Sequence, residues 1–541
     1  MDLPPDVNVV SLTALVPHNG SNVTLVDGNE ALLDDFTPTT EVDEIVFSVA
    51  PAFDEKLTDD DNTLEKRLSP TPPPAVPALP PVEDNPPVAP DGGAAAWCQV
   101  LAGFLLNSVA WGTSMTFGIY QLYYTQTLGL DSASVSWIGS VQTFLTYFLS
   151  TVSGLLADAG YAREVSAVGT VLVAAGGLGM SFAAPAAPAH SSSGLPVPPA
   201  LLLCQAVIMG VGLGLLTAPA LPSMNSFFDK RRSLALAIST TGTCTGGTLL
   251  LIGVQFLLPA VGFGWAVRCV TLVSVVVCAL AALLLRPPLT AVVVSKKESI
   301  SSTPSSSLSS LSSVSPKSHS FAARASWFMH QIVDVSALHE VPTLLFIAST
   351  FLLYWGLYFG FYYINVYAED VVGFTTDRAT MLLVMSLTIG IPARLAVGSI
   401  AGACASALDL LIVMTIIMAG TVFAWIGVGS STSGMYVFVA FFGMGNGAVQ
   451  SVWVGSIAEL SRHAGSRIGA RFGMFCSVAA LATLAGAPTA SALISLTNKG
   501  NMALASTYRI AQIWGAATTL VSAGVLVVAR IYATGWHLKR A

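Results

Sequence analysis

Long apolar runs alternate along this chain with short polar or Gly/Pro breaks, and the runs have the length that a bilayer requires. A membrane helix needs about 20 predominantly apolar residues to cross the hydrocarbon core. Runs of that kind fall near 97–121, 134–156, 165–184, 200–223, 234–257 and 265–286. Six more follow near 342–367, 378–400, 409–428, 433–458, 472–494 and 509–531. The pattern predicts an all-α membrane protein with 12 transmembrane helices in two six-helix halves, 91–286 and 341–532. Between the halves, 287–340 is Ser-rich and reads as a flexible linker. The first 90 residues form an acidic, Pro-rich tail with too little apolar surface to offset ordering entropy, and are expected to be disordered; 533–541 is a short second tail. Two related halves with a site at the midplane between them is the plan of a secondary transporter.

Composition sharpens this picture. Apolar residues make up 53% of the chain and charged residues 10%, with a mean hydropathy of +0.70, too few charges to cover a soluble surface of this length. Those charges are unevenly placed. The first 90 residues hold 17 of the 30 acidic side chains against three basic ones (Lys56, Lys66, Arg67), a local charge of −14, while the rest carries +7. A basic body joined to an acidic tail argues for lipid and against a nucleic-acid partner. With the N-terminus inside, the inner connections and ends carry 15 Lys/Arg and the outer ones four (Arg268, Arg378, Lys499, Arg509), which predicts that both termini are cytoplasmic. The sequon Asn22-Val23-Thr24 then lies on the unglycosylated side. The tail has no basic segment followed by an apolar core, so it does not read as a signal peptide. The seven cysteines are scattered through apolar runs without a CxxC or Cys/His cluster and read as small buried residues, not as a metal site.

Several motifs occur in an order that resembles the monocarboxylate porter branch of the major facilitator superfamily, in particular its fungal members. They are Asp91-Gly92-Gly93…Trp97, Trp111-Gly112…Phe117-Gly118, Ser136-Trp137-Ile138-Gly139, Phe227-Phe228-Asp229-Lys230-Arg231-Arg232 and Gly262-Phe263-Gly264-Trp265. In the second half, Ile468-Gly469-Ala470-Arg471 and Gly486-Ala487-Pro488 are similar to family elements of helix 11. The resemblance implies the major facilitator fold, a rocker-switch cycle and a small organic anion as cargo. It also implies a loop device, because Gly154…Asp158…Arg163 resembles the superfamily's helix 2–3 motif, whose Asp braces a neighbouring helix in one conformational state. Asp158, Arg163 and Arg471 are therefore candidate gating residues. Where animal members of the branch carry a helix 1 lysine and a carboxylate one turn before the helix 8 arginine, this chain has Met115 and Gly390.

Arg394 is the ionisable side chain placed well inside a predicted helix, with no Asp or Glu at the same depth to pair with it. An uncompensated charge there is costly, so it should face a cavity; a guanidinium without a fixed anion is suited to a mobile carboxylate. The competing reading is that Arg394 snorkels to water or caps a neighbouring helix. Tyr358 and Tyr362, one turn apart in an aromatic-rich helix 7, suit a ring-containing cargo, whereas Tyr367 reads as an interfacial anchor. Asn446 and Gln450 share a helical face, and Asn107 and Gln142 complete the candidate substrate-binding set. The Gly210/Gly212/Gly214 and Gly242/Gly246/Gly247 clusters lie inside apolar helices and read as close helix packing, not as nucleotide loops.

These observations point to a secondary transporter of a small organic acid or acidic metabolite. The alternatives are efflux of a bulkier secondary metabolite, favoured by Met115, Gly390 and the aromatic helix 7, and a non-transporting membrane sensor. No nucleophile–base or metal constellation suggests an enzyme, and no cofactor is expected. The expected partners are the cargo, the lipid bilayer and protons as candidate co-substrate, in a monomer at the plasma membrane or, alternatively, the vacuolar membrane.

Overall fold

The computed structural model describes residues 13–15, 25–27, 91–183, 197–286, 338–403, 405–461, 468–497 and 504–534. The chain divides into two units, Met1–Glu83 and Asp84–Ala541. In the first, Thr13–Leu15 and Leu25–Asp27 pair as antiparallel strands. The rest of the expected 1–90 tail, most of the linker and 535–541 lie outside the described residues.

Among its described residues, the regular elements of the second unit are all helices. Among the described residues, ten helical stretches are long and apolar enough to cross a bilayer. One of them, Arg232–Leu284, runs for 53 residues and breaks at Gly262 (φ 76°, ψ 166°), just beyond Pro259, so it supplies two spans. Only glycine adopts that backbone region without strain, and this is why the Gly262-Phe263-Gly264 segment can join two helices without a loop. Ser132–Asp158 (27 residues) is the remaining span. Its hydroxyls lower its hydropathy but are satisfied internally; Ser150 Oγ, for example, donates to Thr146 O (2.9 Å).

The helices are numbered α1 Ala94–Thr127, α2 Ser132–Asp158, α3 Ala162–Ala183, α4 Pro199–Phe227, α5 232–261 and α6 263–284. The second half contains α7 Val341–Asp370, α8 Thr376–Ala403, α9 Ala407–Gly427, α10 Thr432–Leu460, α11 Ile468–Thr497 and α12 Arg509–Thr534. The described spans thus match the twelve expected from hydropathy. The bundle's exterior is apolar, with Phe182, Trp265, Leu272 and Leu283 all more than 60% exposed, as suits a molecule whose solvent is lipid.

Small residues set the helix spacing. At Gly112 and Gly246 the backbones of α1 and α5 touch: a Cβ on Gly112 would lie 2.7 Å from the Gly246 carbonyl carbon. Between the halves, Gly154 of α2 meets Gly469 of α11 in the same manner, and Thr151 Oγ1 donates to Gly473 O (2.7 Å). On the other side of the bundle α5 packs on α8, with Ala237 against Gly398.

Helix α7 differs from expectation. Tyr354, Tyr358, Phe359 and Tyr367 are buried, and Phe351, Trp355, Phe361, Tyr362 and Tyr363 are half-buried. Tyr367 donates to Gly429 O (3.0 Å) and packs edge-on against Trp425 and Tyr508, so it is a core residue and not an interfacial anchor. The reason is topological: α7 is enclosed by neighbouring helices, and rings from several of them fill the space around it.

Candidate functional site

A cavity of about 70 Å³ lies between the halves. The first half contributes Asn107 and Trp111 from α1, Tyr147 from α2, and Ser239 and Thr240 from α5. The second contributes Tyr354 and Tyr358 from α7, Arg394 from α8, Asn446, Gln450 and Trp453 from α10, and Phe472 and Cys476 from α11. Arg394, Asn446, Gln450, Tyr358 and Asn107, which the sequence singles out from four different helices, are thus brought together.

Arg394 is only 4% exposed. Its Nη1 donates to the main-chain carbonyl of Thr240, inside α5 (2.7 Å), so one arm of the guanidinium reaches across to the other half. The Nε–H has no partner among the described residues, and the cavity wall contains no carboxylate. The site therefore holds a buried positive charge with one donor left unpaired among the described residues.

Asn446 reaches the same cavity because α10 and α8 approach closely. Glycines at 443 and 447 flank it, and a Cβ on Gly447 would lie 2.5 Å from Gly390 O. Asn446 is 5% exposed and its Oδ1 has no partner among the described residues. The other polar groups are better satisfied. Gln450 Oε1 accepts from the Tyr354 hydroxyl (2.9 Å), and Asn107 Nδ2 donates to Gly103 O (2.9 Å). The hydroxyls of Tyr147 and Tyr358 are 2.7 Å apart and bridge the halves along one wall of the cavity.

Two expected residues lie elsewhere. Gln142 is buried against α4, where its backbone meets Gly210. The helical period of α2 turns 142, 146 and 150 towards α4, Ser150 bonding Thr217 (2.6 Å), while 147, 151 and 154 face the second half. Tyr362 stands one turn beyond Tyr358 and is absent from the cavity wall, which reaches only Phe361 on α7. Conversely, Trp111, Tyr147, Trp453, Phe472 and Cys476 line the cavity but were not singled out, since nothing in an apolar run distinguishes a cavity-facing ring from a lipid-facing one.

The three expected gating residues separate into two kinds. The Asp158 carboxylate accepts from the main-chain N–H groups of Gly469 (3.0 Å) and Ala470 (2.8 Å), capping the N-terminus of α11 across the junction of the halves. An anion at the unsatisfied N–H groups of a helix start is favourable. Arg163, by contrast, donates to the carbonyls of Ala282, Leu283 and Leu285 (3.1, 3.2 and 3.1 Å), closing the C-terminus of α6 within its own half. Arg471 is likewise committed within the second half, to Glu340 (3.0 Å) and the Leu460 carbonyl (3.4 Å). Arg163 thus goes to the carbonyls at a helix C-terminus and Arg471 to a carboxylate just ahead of α7 and a carbonyl at the end of α10, and none of these contacts joins the halves.

The same end of the bundle explains why two of the sequence motifs occur together. Asp91, just ahead of α1, accepts from the N–H groups of Asp229 (2.6 Å) and Lys230 (2.8 Å) in the α4–α5 connection. The Asp229 N–H, foremost among these donors, holds the Asp91 carboxyl below its ordinary pKa. At the opposite end a second hollow of about 390 Å³ lies between α1, α5 and α8, with Gln255 and Asp377 on its wall.

A family model described as Major Facilitator Superfamily matches residues 102–484. An MFS-type transporter of Gibberella zeae is 32% identical over 445 residues, covering 82% of this chain and 88% of that protein. The aspyridones efflux protein of Emericella nidulans is 29% identical over 409 residues, covering 75% and 73%. Among solved structures, the proton:xylose symporter XylE superposes with a TM-score of 0.53 at 14% identity, covering 79% of this chain and 94% of its own; at that identity the likeness speaks for the fold.

Proposed function

The chain belongs to the major facilitator superfamily and is a multi-pass membrane transporter, and we propose that it exports an organic metabolite bearing an acidic group. The observation that carries this reading is Arg394: a buried guanidinium on a cavity wall without a carboxylate, with its Nε–H open. Export is supported by the likeness to an aspyridones efflux protein, and the acidic group is in keeping with the monocarboxylate porter motifs in the sequence. The Lys/Arg distribution supports cytoplasmic termini, and the plasma membrane is the site at which export would serve the cell.

The mechanism follows from what each group can do. Arg394 neutralises the cargo's charge and orients it through its planar donor set. Trp111, Tyr147, Tyr354, Tyr358 and Trp453 supply flat apolar surface for the cargo's body. At about 70 Å³ the cavity is far below the roughly 300–1,000 Å³ typical of pockets for drug-sized ligands, so loading requires the halves to move apart. The described residues of the cavity wall include no carboxylate or histidine to carry a proton, so a coupled proton would have to travel on the cargo itself, as its protonated acid, or the anion moves without one.

Ligand-induced stabilisation of the purified full-length protein tests the reading, because a ligand that binds the folded state raises its melting temperature. We expect 3-phenylpropanoate to raise the Tm and its carboxamide to have no effect. Arg394→Gln should weaken the carboxylate's binding by about 10-fold or more, the range of hydrogen bonds to charged groups. Equal stabilisation by acid and amide, or an unchanged response in the variant, would overturn it.

A further inference from the structure

We infer that Asn446 is a specificity residue that reads a hydrogen-bond donor next to the cargo's acidic group, so that the preferred substrates are hydroxy or amido acids with a ring-containing body. This rests on the reading of Arg394 as the anion site. Most polar groups of the cavity wall are already paired. Gln450 Oε1 takes the Tyr354 hydroxyl, Tyr147 and Tyr358 share a hydrogen bond, and Asn107 donates to its own helix. Two groups, each more than nine-tenths buried, retain an open position: Nε of Arg394 and Oδ1 of Asn446.

These two open positions differ in kind. Arg394 can only donate, and an acid anion can only accept, so these match. The Oδ1 of Asn446 can only accept, and a bare carboxylate has nothing to give it. A cargo with only a carboxylate therefore leaves a buried acceptor unpaired, a condition that folded proteins largely avoid. A cargo with an O–H or N–H beside the acid fills both positions at once. Sites built to hydrogen-bond a substrate group reject the analogue that lacks it, far more strongly than an apolar pocket rejects a missing methylene. The close approach of α8 to α10 at Gly390 and Gly447 is what brings Arg394 and Asn446 to one small cavity. The flat aromatic wall in turn selects a ring-containing body.

The test is equilibrium binding of three labelled acids to the full-length protein in lipid nanodiscs: 3-phenyllactate, its O-methyl ether and 3-phenylpropanoate. The hydroxy acid offers a donor beside its carboxylate; the other two do not. Wild type is expected to bind 3-phenyllactate about tenfold more tightly than either analogue. Asn446→Leu, of similar volume, should bind all three within about twofold of one another, the discrimination having been lost. Equal binding of the three acids by wild type, with Arg394→Gln losing all of them, overturns the role of Asn446 and leaves the anion site standing. A preference retained in Asn446→Leu overturns it as well. If wild type binds none of the three, or Arg394→Gln binds them as wild type does, the anion site itself fails and this inference with it.

Discussion

At Arg394 the bilayer and the cargo make opposite demands on one guanidinium. The apolar surroundings require that its charge be compensated, while a binding site requires that it stay open. The structure meets both in part, by giving Nη1 the Thr240 carbonyl and leaving Nε free. The sequence shows such a residue clearly, because a lone Arg in a long apolar run is unusual whatever it touches. It shows the uncharged members less well. Asn446 and Gln142 look alike in sequence, yet one lies on the cavity wall and the other against α4, and only the packing of α10 on α8 and of α2 on α4 decides between them. Asp91 is a simpler residue with a simpler prediction. Its pKa is depressed in the folded chain, so its stabilising contribution is present above the ordinary carboxylate pKa near 3.9 and lost as pH falls through the lower folded value. Asp91→Ala should therefore lower the Tm at pH 7, by about 1–2 °C for a body of this size, and the gap to wild type should narrow below about pH 4. A gap of constant size across that range would mean that the carboxylate charge is not what ties α1 to the α4–α5 turn.

Helices were the most legible level of this protein. Twelve runs of bilayer length give twelve spans, since hydropathy reports directly on the solvent that a helix needs. What hydropathy does not report is which face of a helix meets protein. For this reason Tyr367 reads as an interfacial anchor, although it packs on Trp425 of α9, beside Phe359, which meets α9 and α12. For the same reason the sequence groups Arg163 and Arg471 with Asp158, whereas the contacts named above tie Arg163 to α6 and Arg471 to Glu340; basic residues at helix ends serve local acceptors as readily as distant partners. Asp158 makes one of the contacts that cross the halves, holding α2 to α11 beside the Gly154–Gly469 approach. Removing it should favour separation of α2 from α11. Charge-assisted hydrogen bonds are worth about 1.5–3 kcal/mol, so Asp158→Ala is expected to shift the opening equilibrium by roughly 10-fold or more. Cys476 reports this motion, because it lines the cavity and is 2% exposed. In a chain whose other cysteines are replaced by alanine, a membrane-permeant maleimide should label Cys476 faster in Asp158→Ala by about the same factor. An unchanged rate would show that the cap does not control access.

On the scale of the whole molecule, the two halves divide the work of the site. Both halves supply rings and amides, Trp111, Tyr147 and Asn107 from the first and Tyr354, Tyr358, Trp453, Asn446 and Gln450 from the second, while the charge comes from the second and is held by the Thr240 carbonyl of the first. Cargo held between them touches both, so its binding is coupled to their relative position. A ligand shifts that position only by its differential affinity for the two states. Because the cavity measures about 70 Å³ here, a substantial cargo favours a more open arrangement. The division into halves was readable in the sequence from the Ser-rich break; the cavity's composition was not, since it depends on how four pairs of helices cross. Counterflow in liposomes containing the purified full-length protein tests the account most directly: trapped unlabelled 3-phenyllactate should drive transient uptake of the labelled acid. Saturable counterflow by wild type, falling at least tenfold in Arg394→Gln, is the result predicted here. Counterflow that is absent in wild type, or undiminished in Arg394→Gln, would contradict the claim that this carrier moves an organic anion held by Arg394.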